Sequence, residues 1–372
     1  LSILSDLLSE CICDAGSLGE ALELSEGERS DLEDVIKTWP ARITPYYLSL
    51  IDKEDRFDPI RKMCLPGRLE FSEGGLSDTS GESSNTVVTG MQHKYKNTVL
   101  ILSTGSCAVY CRHCFRKRMV GVRNTEVAES IPDMVSYVKA HPEIDNVLIS
   151  GGDAFANENA VIREYLEAFS AVESVRFIRF GTRIPVVMPK RIYEDHELLE
   201  ILREYSERKK ILVITQFDHP REITEEAKKA VDALNLSGIA VRNQTVLLKD
   251  VNDSEQVLSE LMNSLVCINV APYYVFQCRP VLGVKNQFQV PLIRGEEIMR
   301  KTKGLLSGVA GNFRYVMSHP SGKIEIVGRL DDSLVFRYHE ARDPKDQGRV
   351  FLRHLTGECW LDDDRCSGSE GF

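Results

Sequence analysis

Along most of the chain, short apolar runs alternate with stretches in which apolar residues recur at helical spacing. The runs at 99–102, 147–149, 175–180, 211–214, 239–248 and 266–276 are rich in Val, Ile, Leu and Phe, which predicts strands buried on both faces. Between them Val161, Ile162, Tyr165, Leu166 and Phe169 fall at i, i+1, i+4, i+5 and i+8. Val257, Leu258, Leu261, Met262 and Leu265 do the same, so each segment predicts a helix with one buried stripe. Gly238 stands just past a further helical stretch at 225–236 and is placed to cap it. Buried strands in alternation with helices predict an α/β fold on a parallel sheet, a partial or complete barrel, with chemistry at the C-terminal ends of the strands.

The two ends read differently. To about residue 70 the chain is acidic and helical: Ser25 and Glu28 have the spacing of a capping box, and Leu32, Val35, Ile36 and Trp39 follow at helical spacing. The stretch 71–86 is rich in Ser and Gly and predicts a surface loop or linker. From about Gly328 the pattern weakens into a polar tail with Cys359, Trp360 and Cys366. The resulting division is an N-terminal helical region and linker over 1–90, a barrel over 91–290, and a C-terminal segment and tail over 291–372.

Composition narrows the function classes. The 372 residues are 42% hydrophobic and 27% charged, the profile of a folded chain. No apolar run approaches the roughly 18 residues of a membrane span. The first ten residues lack a basic region, so no secretory signal is read there and a cytoplasmic location is expected. The chain opens on Leu1 rather than Met, so the numbering need not start at the natural beginning. A formal charge of −10 argues against a general nucleic-acid binder. Of ten cysteines, Cys107, Cys111 and Cys114 fall within eight residues, which suits a metal better than a disulfide set.

The spacing in Cys107-Ala-Val-Tyr-Cys111-Arg-His-Cys114 is C-x3-C-x2-C. Three thiolates satisfy three irons of a [4Fe–4S] cube and leave one iron free. Structural zinc wants four ligands, and His113 is the available fourth donor, inside a tight loop. Arg112, Arg116, Lys117 and Arg118 lie beside the cysteines, a cationic setting expected to favour thiolates over inert buried thiols.

C-x3-C-x2-C with an aromatic before a cysteine resembles the signature of the radical S-adenosylmethionine enzymes, which implies a partial (β/α)6 barrel. Gly151-Gly152-Asp153, after the second strand, resembles that superfamily's loop for the methionine amino group. The resemblance narrows further. Arg42-Ile-Thr-Pro-Tyr-Tyr47, Gln92-His-Lys-Tyr95, Cys111-Arg-His-Cys-Phe-Arg-Lys-Arg118, Gly181-Thr-Arg-Ile-Pro-Val-Val187, Asn243-Gln-Thr-Val-Leu-Leu248, Val251-Asn-Asp253 and Ala271-Pro-Tyr-Tyr274 are similar to motifs of the lysine 2,3-aminomutase family, from about residue 40 to 328.

That resemblance implies three cofactors: a [4Fe–4S] cluster, S-adenosyl-L-methionine and pyridoxal 5′-phosphate (PLP). It implies a small amino acid as substrate, an electron donor such as flavodoxin or ferredoxin, and a homo-oligomer. Ser318-His-Pro-Ser-Gly-Lys323 resembles the family's cofactor-lysine segment, which makes Lys323 the Schiff-base lysine and lets the adjacent glycine bring the backbone close to the cofactor. The plainer alternative is a turn followed by a strand at 323–327. Arg116 stands at the position for the substrate α-carboxylate, and Arg112 is read as a ligand contact; the alternative is a solvated charged loop from Arg112 to Arg123. Lys94 and Tyr95 match contacts to the PLP phosphate, with Lys in place of an arginine. Thr98 stands where a second phosphate arginine is expected, and Gln244 matches a residue near the adenosylmethionine.

Two departures bear on the substrate. The family's lysine enzymes hold the distal ammonium with two aspartates, and here those positions are Arg279 and Ser318. At an effective dielectric near 20, like charges about 4 Å apart repel by roughly 4 kcal/mol. A distal carboxylate fits better, so the pattern resembles the glutamate 2,3-aminomutases. The bland reading of Arg279 is a surface or interface ion pair. Competing functions are a lysine aminomutase acting on free or elongation-factor-related lysine, a dehydratase or epimerase with the same cofactors, and a zinc-stapled binding module. The family's intersubunit metal uses a cysteine where Ser254 stands, so with only Cys359 and Cys366 in the tail no such zinc is expected; Cys267 and Cys278 are read as core or cofactor-shell thiols.

Overall fold

The computed structural model describes residues 2–122 and 125–361. One mixed sheet carries twelve strands in chain order: β1 Thr86–Val88, β2 Met91–Tyr95, β3 Thr98–Thr104, β4 Asn146–Gly151, β5 Phe177–Gly181, β6 Lys210–Thr215, β7 Ala240–Leu247, β8 Val270–Gln277, β9 Arg314–His319, β10 Gly322–Leu330, β11 Ser333–Ala341 and β12 Val350–His354. The six predicted strands are β3 to β8, all parallel, and the sheet stays open between β1 and β12. This is a partial α/β barrel.

The helical stripes lie where their spacing placed them. The helix Asn159–Ser170 buries Ile162, Tyr165, Leu166 and Phe169, and Glu255–Cys267 buries Leu258, Leu261, Met262 and Leu265. Gly238 adopts φ +79° and ends the helix Glu225–Leu236, its N–H donating to the Asn235 carbonyl at 3.0 Å. Ser25 and Glu28 form the expected capping box on Glu26–Thr38. The last predicted strand starts late, at Val270, because Val266 and Cys267 complete the preceding helix and Asn269 turns the chain at φ +57°. Cys267 is therefore exposed rather than in the core, whereas Cys278 is buried.

Two segments depart from the polarity reading. The Ser/Gly-rich stretch folds inward: Thr79, Ser80, Glu82 and Asn85 are buried, and Glu82 pairs with Arg116 and Arg118. Glu82 and Ser80 face cations, while Glu73, Ser77, Ser83 and Ser84 stay at the surface. The tail is also folded. Strands β9 to β12 extend the sheet past β8, and Met317, Ile324, Phe336 and Tyr338 enter the core. Every second residue of Leu334, Phe336 and Tyr338 is buried, a period of two that marks a strand.

Candidate active site

The cysteines sit on the loop that leaves the C-terminal end of β3, and Gly151-Gly152-Asp153 leaves the end of β4 beside it. The two loops are stitched together by Gly152 N–H donating to Thr104 O at 2.6 Å and Asp153 N–H donating to Ser106 O at 2.9 Å. A Cβ on Gly151 would collide with the Thr104 carbonyl, and one on Gly152 with that of Ser106. These glycines bring β4 against the cysteine loop. The Asp153 carboxylate accepts from Thr182 Oγ1 at 2.5 Å, Arg183 N–H at 2.6 Å and Phe155 N–H at 2.9 Å, while burial pushes its pKa up.

A cavity of about 410 Å³ opens inside the sheet. Cys107, Cys111, Cys114, Gly151, Gly152, Asp153 and Gln244 line one part of it. Lys94, Tyr95, Arg116, Arg279, Ser318 and Lys323 line the rest, so seven strands or their loops bring thirteen of the fourteen sequence-predicted residues to one space. The exception is Arg112. It turns behind the loop, where Nε donates to Glu70 Oε1 at 2.8 Å and Nη1 to Pro40 O at 2.9 Å. Its role is to fasten the N-terminal region to the cysteine loop, and the backbone agrees: Tyr110 N–H donates to Arg42 O and Arg112 N–H to Met63 O.

The cationic setting of the thiols is cancelled by carboxylates that were not read from the sequence. Glu70 pairs with Arg112 and Lys117, Glu82 with Arg116 and Arg118, and Glu126 with Arg118. Burial dominates instead, pushing the Cys111 thiol up to about 11 and raising Cys107 and Cys114 as well. A metal must therefore displace protons from them, as metal binding to thiols ordinarily does. Arg183, at the end of β5, donates from Nη1 to Cys111 Sγ at 2.8 Å and is held by Tyr47 and Glu222. His113 faces the other way, with Nε2 at 3.3 Å from Asp218 and 2.9 Å from Gln216. Among the described residues no three His, Cys, Asp or Glu side chains are grouped to hold a single ion, the three cysteines included, and His113 is engaged by Asp218 and Gln216 rather than by the thiols.

Lys323 projects from β10 between two aromatic rings, Tyr95 at 5.4 Å and Tyr274 at 4.8 Å, and its Nζ donates to Glu340 Oε2 at 2.9 Å. The neighbouring Gly322 lets β10 pack against the Glu340 carbonyl of β11, where a Cβ would clash. Lys94 Nζ donates to His319 O at 2.6 Å. Burial, reinforced by Arg279, Arg342 and Lys323, lowers the Lys94 pKa to about 7. Ser318 lies across from Lys323 in the β9–β10 ladder.

Arg116 donates from Nε to Glu82 Oε1 at 2.9 Å and stacks on Phe115 at 4.5 Å. Arg279 covers the same ring at 4.0 Å and donates to the Ser80 hydroxyl. It is an interior residue open to the cavity, not a surface ion pair, and burial lowers its pKa to about 10 against the pull of Glu82. Glu82, Glu340, Arg183 and Arg179 are the site residues that sequence reasoning missed. Only Arg183 carried a usable signal, its place at the C-terminal end of a predicted strand.

No protein-family model matches the chain. A protein of Aquifex aeolicus, provisionally assigned as an L-lysine 2,3-aminomutase, is 40% identical over 345 residues, 92% of each chain. The L-lysine 2,3-aminomutase of Clostridium subterminale is 37% identical over 294 residues, 78% of this chain and 69% of that protein. The glutamate 2,3-aminomutase of Clostridioides difficile is 34% identical over 317 residues, 85% and 74% respectively. Among solved structures, a radical SAM methyltransferase from Sphaerobacter thermophilus matches with a TM-score of 0.41 and 17% identity, over 61% of this chain and 68% of that one. The chain belongs to the lysine 2,3-aminomutase family and is an isomerase.

Proposed function

We propose that this isomerase moves the α-amino group of L-glutamate from C2 to C3, giving β-glutamate, with a [4Fe–4S] cluster, S-adenosyl-L-methionine and PLP as cofactors. Cys107, Cys111 and Cys114 would hold the cluster, and their donor chemistry fits it: three thiols on one loop, lining one cavity. Gly151, Gly152, Asp153 and Gln244 would cradle the adenosylmethionine beside it, and Lys323, with Lys94 and Tyr95, would hold PLP. Together these groups supply a carbon radical and a carrier for the migrating nitrogen. The chain's own residues position the substrate: Arg116 receives the α-carboxylate, and Arg279, with the Ser318 hydroxyl, receives the distal one.

The observation that carries the choice of glutamate is the state of the charged groups facing the cavity. Its carboxylates are Glu82, Asp153 and Glu340. Both oxygens of Glu82 are taken by Arg116 and Arg118, Asp153 is filled by three internal donors, and Glu340 pairs with Lys323. Arg279 has only a hydroxyl partner among the described residues. A lysine ammonium therefore meets a half-buried guanidinium and no open anion among the described residues, whereas a carboxylate meets an open cation. The test is a mass-spectrometric screen of the reconstituted enzyme over glutamate, lysine, glutamine, arginine and alanine. β-Glutamate should be the main product; faster turnover of lysine in competition would overturn the assignment.

A further inference from the structure

Arg179 lies midway along β5 and lines the cavity. Its Nε donates to Asn146 Oδ1 at 2.9 Å, so the side chain leans toward the starts of the strands, away from the cysteine loop. Asn97 and Thr98 line the same part, and Thr98 is in register with Asn146. The two terminal nitrogens of Arg179 have no hydrogen-bond acceptor and no carboxylate within 4.0 Å among the described residues. Glu340 is near enough to be felt but is engaged by Lys323. The other cavity arginines are accounted for: Arg183 by Glu222, Arg116 by Glu82 and the α-carboxylate, Arg279 by the distal carboxylate. A half-buried guanidinium that opens on a cavity with free donors and no close counter-charge suits a ligand that supplies the anion. A planar fork matches phosphate oxygens in pairs.

We infer that Arg179 is the arginine that grips the phosphate of PLP in this enzyme, reaching from β5, beside Asn146, to the place where Thr98 leaves the expected arginine missing. The inference rests on the assignment of PLP to Lys323. It makes Asn146 a positioning residue, which orients the guanidinium through Nε, and gives Lys94 the role of a second, weaker cation on the same phosphate.

The test compares PLP with pyridoxal, which lacks the phosphate, in equilibrium titrations of full-length protein stripped of PLP, followed by the absorbance change that Lys323→Ala abolishes. Wild-type protein should prefer PLP strongly. Arg179→Gln should weaken PLP about 10- to 150-fold, the value of hydrogen bonds to a charged group, and leave pyridoxal affinity unchanged. Arg179→Lys should be intermediate, and Asn146→Ala should erode the preference by a few fold. Should Arg179→Gln prove insoluble, the latter two variants decide. An unchanged ratio of PLP to pyridoxal affinity overturns the inference, as does an equal loss of both ligands, which would mark a merely structural arginine. If wild-type protein shows no Lys323-dependent absorbance with either ligand, the PLP assignment fails, an outcome distinct from an unchanged ratio.

Discussion

Under the proposed glutamate assignment Arg279 sets the sign of the distal pocket, and its one hydrogen-bond acceptor among the described residues is the Ser80 hydroxyl. Arg279→Asp should therefore lower kcat/KM for glutamate by about 1000-fold or more, since loss of one attraction of roughly 4 kcal/mol is already about three powers of ten. Iron content should not change, because the cluster cysteines are held by other contacts; a parallel loss of iron would show that the variant had disturbed the fold instead. Lys94 makes a second prediction. With its pKa near 7, it carries a charge below that pH and loses it above. The preference for PLP over pyridoxal should then fall as pH rises through about 7, since the phosphate, with its second ionisation near about 6, stays dianionic while the ammonium is lost. Lys94→Met should flatten that dependence, and a wild-type profile flat from the outset would remove Lys94 from the phosphate site. Both residues could be named from the motif positions. Their partners could not, because Ser80 and His319 lie far from them in the chain.

At the level of elements, Glu70 is the joint between the N-terminal region and the cysteine loop. It receives both Arg112 and Lys117, whose side chains are 3% and 7% exposed. Glu70→Gln would strand two buried cations, and the loss of stability should be about 3–5 kcal/mol, read from the denaturant midpoint. A loss below about 1 kcal/mol, the size of a surface pair, would mean that water reaches the cluster of charges. Local patterning read the stretch 71–86 as a surface loop and offered a solvated loop as the alternative for the basic run after Cys111. Folding pairs Glu82 of the first with Arg116 and Arg118 of the second, and Glu82 and Arg116 become buried. The strands and helices of the barrel were legible because a periodic apolar stripe needs no knowledge of its partner.

For the whole molecule, the sheet is continuous from β1 to β12, so Lys323 belongs to the same body as the cysteines. Amides in β9 and β10, such as Val316 and Ile324, should exchange as slowly as Val275 in β8, since Met317, Ile324 and Phe336 are buried in the common core. Exchange orders of magnitude faster in β9 to β11 would separate the lysine-bearing strands from the barrel. Cys366 lies outside the described residues, while Ser254, where the family has a metal-binding cysteine, caps the helix Glu255–Cys267. Sequence alone determined the alternation of strands and helices, the three clustered thiols, the lysine segment and the family, because each is written in local spacing or in ordered motifs. Only the tertiary structure decided which charges are open and which are spent. Arg112 is consumed by Glu70, Arg116 is shared with Glu82, and among the described residues Arg179 and Arg279 have no carboxylate in ion-pair reach. Charge compensation depends on which side chains meet across the sheet, and that is settled only when distant segments pack together.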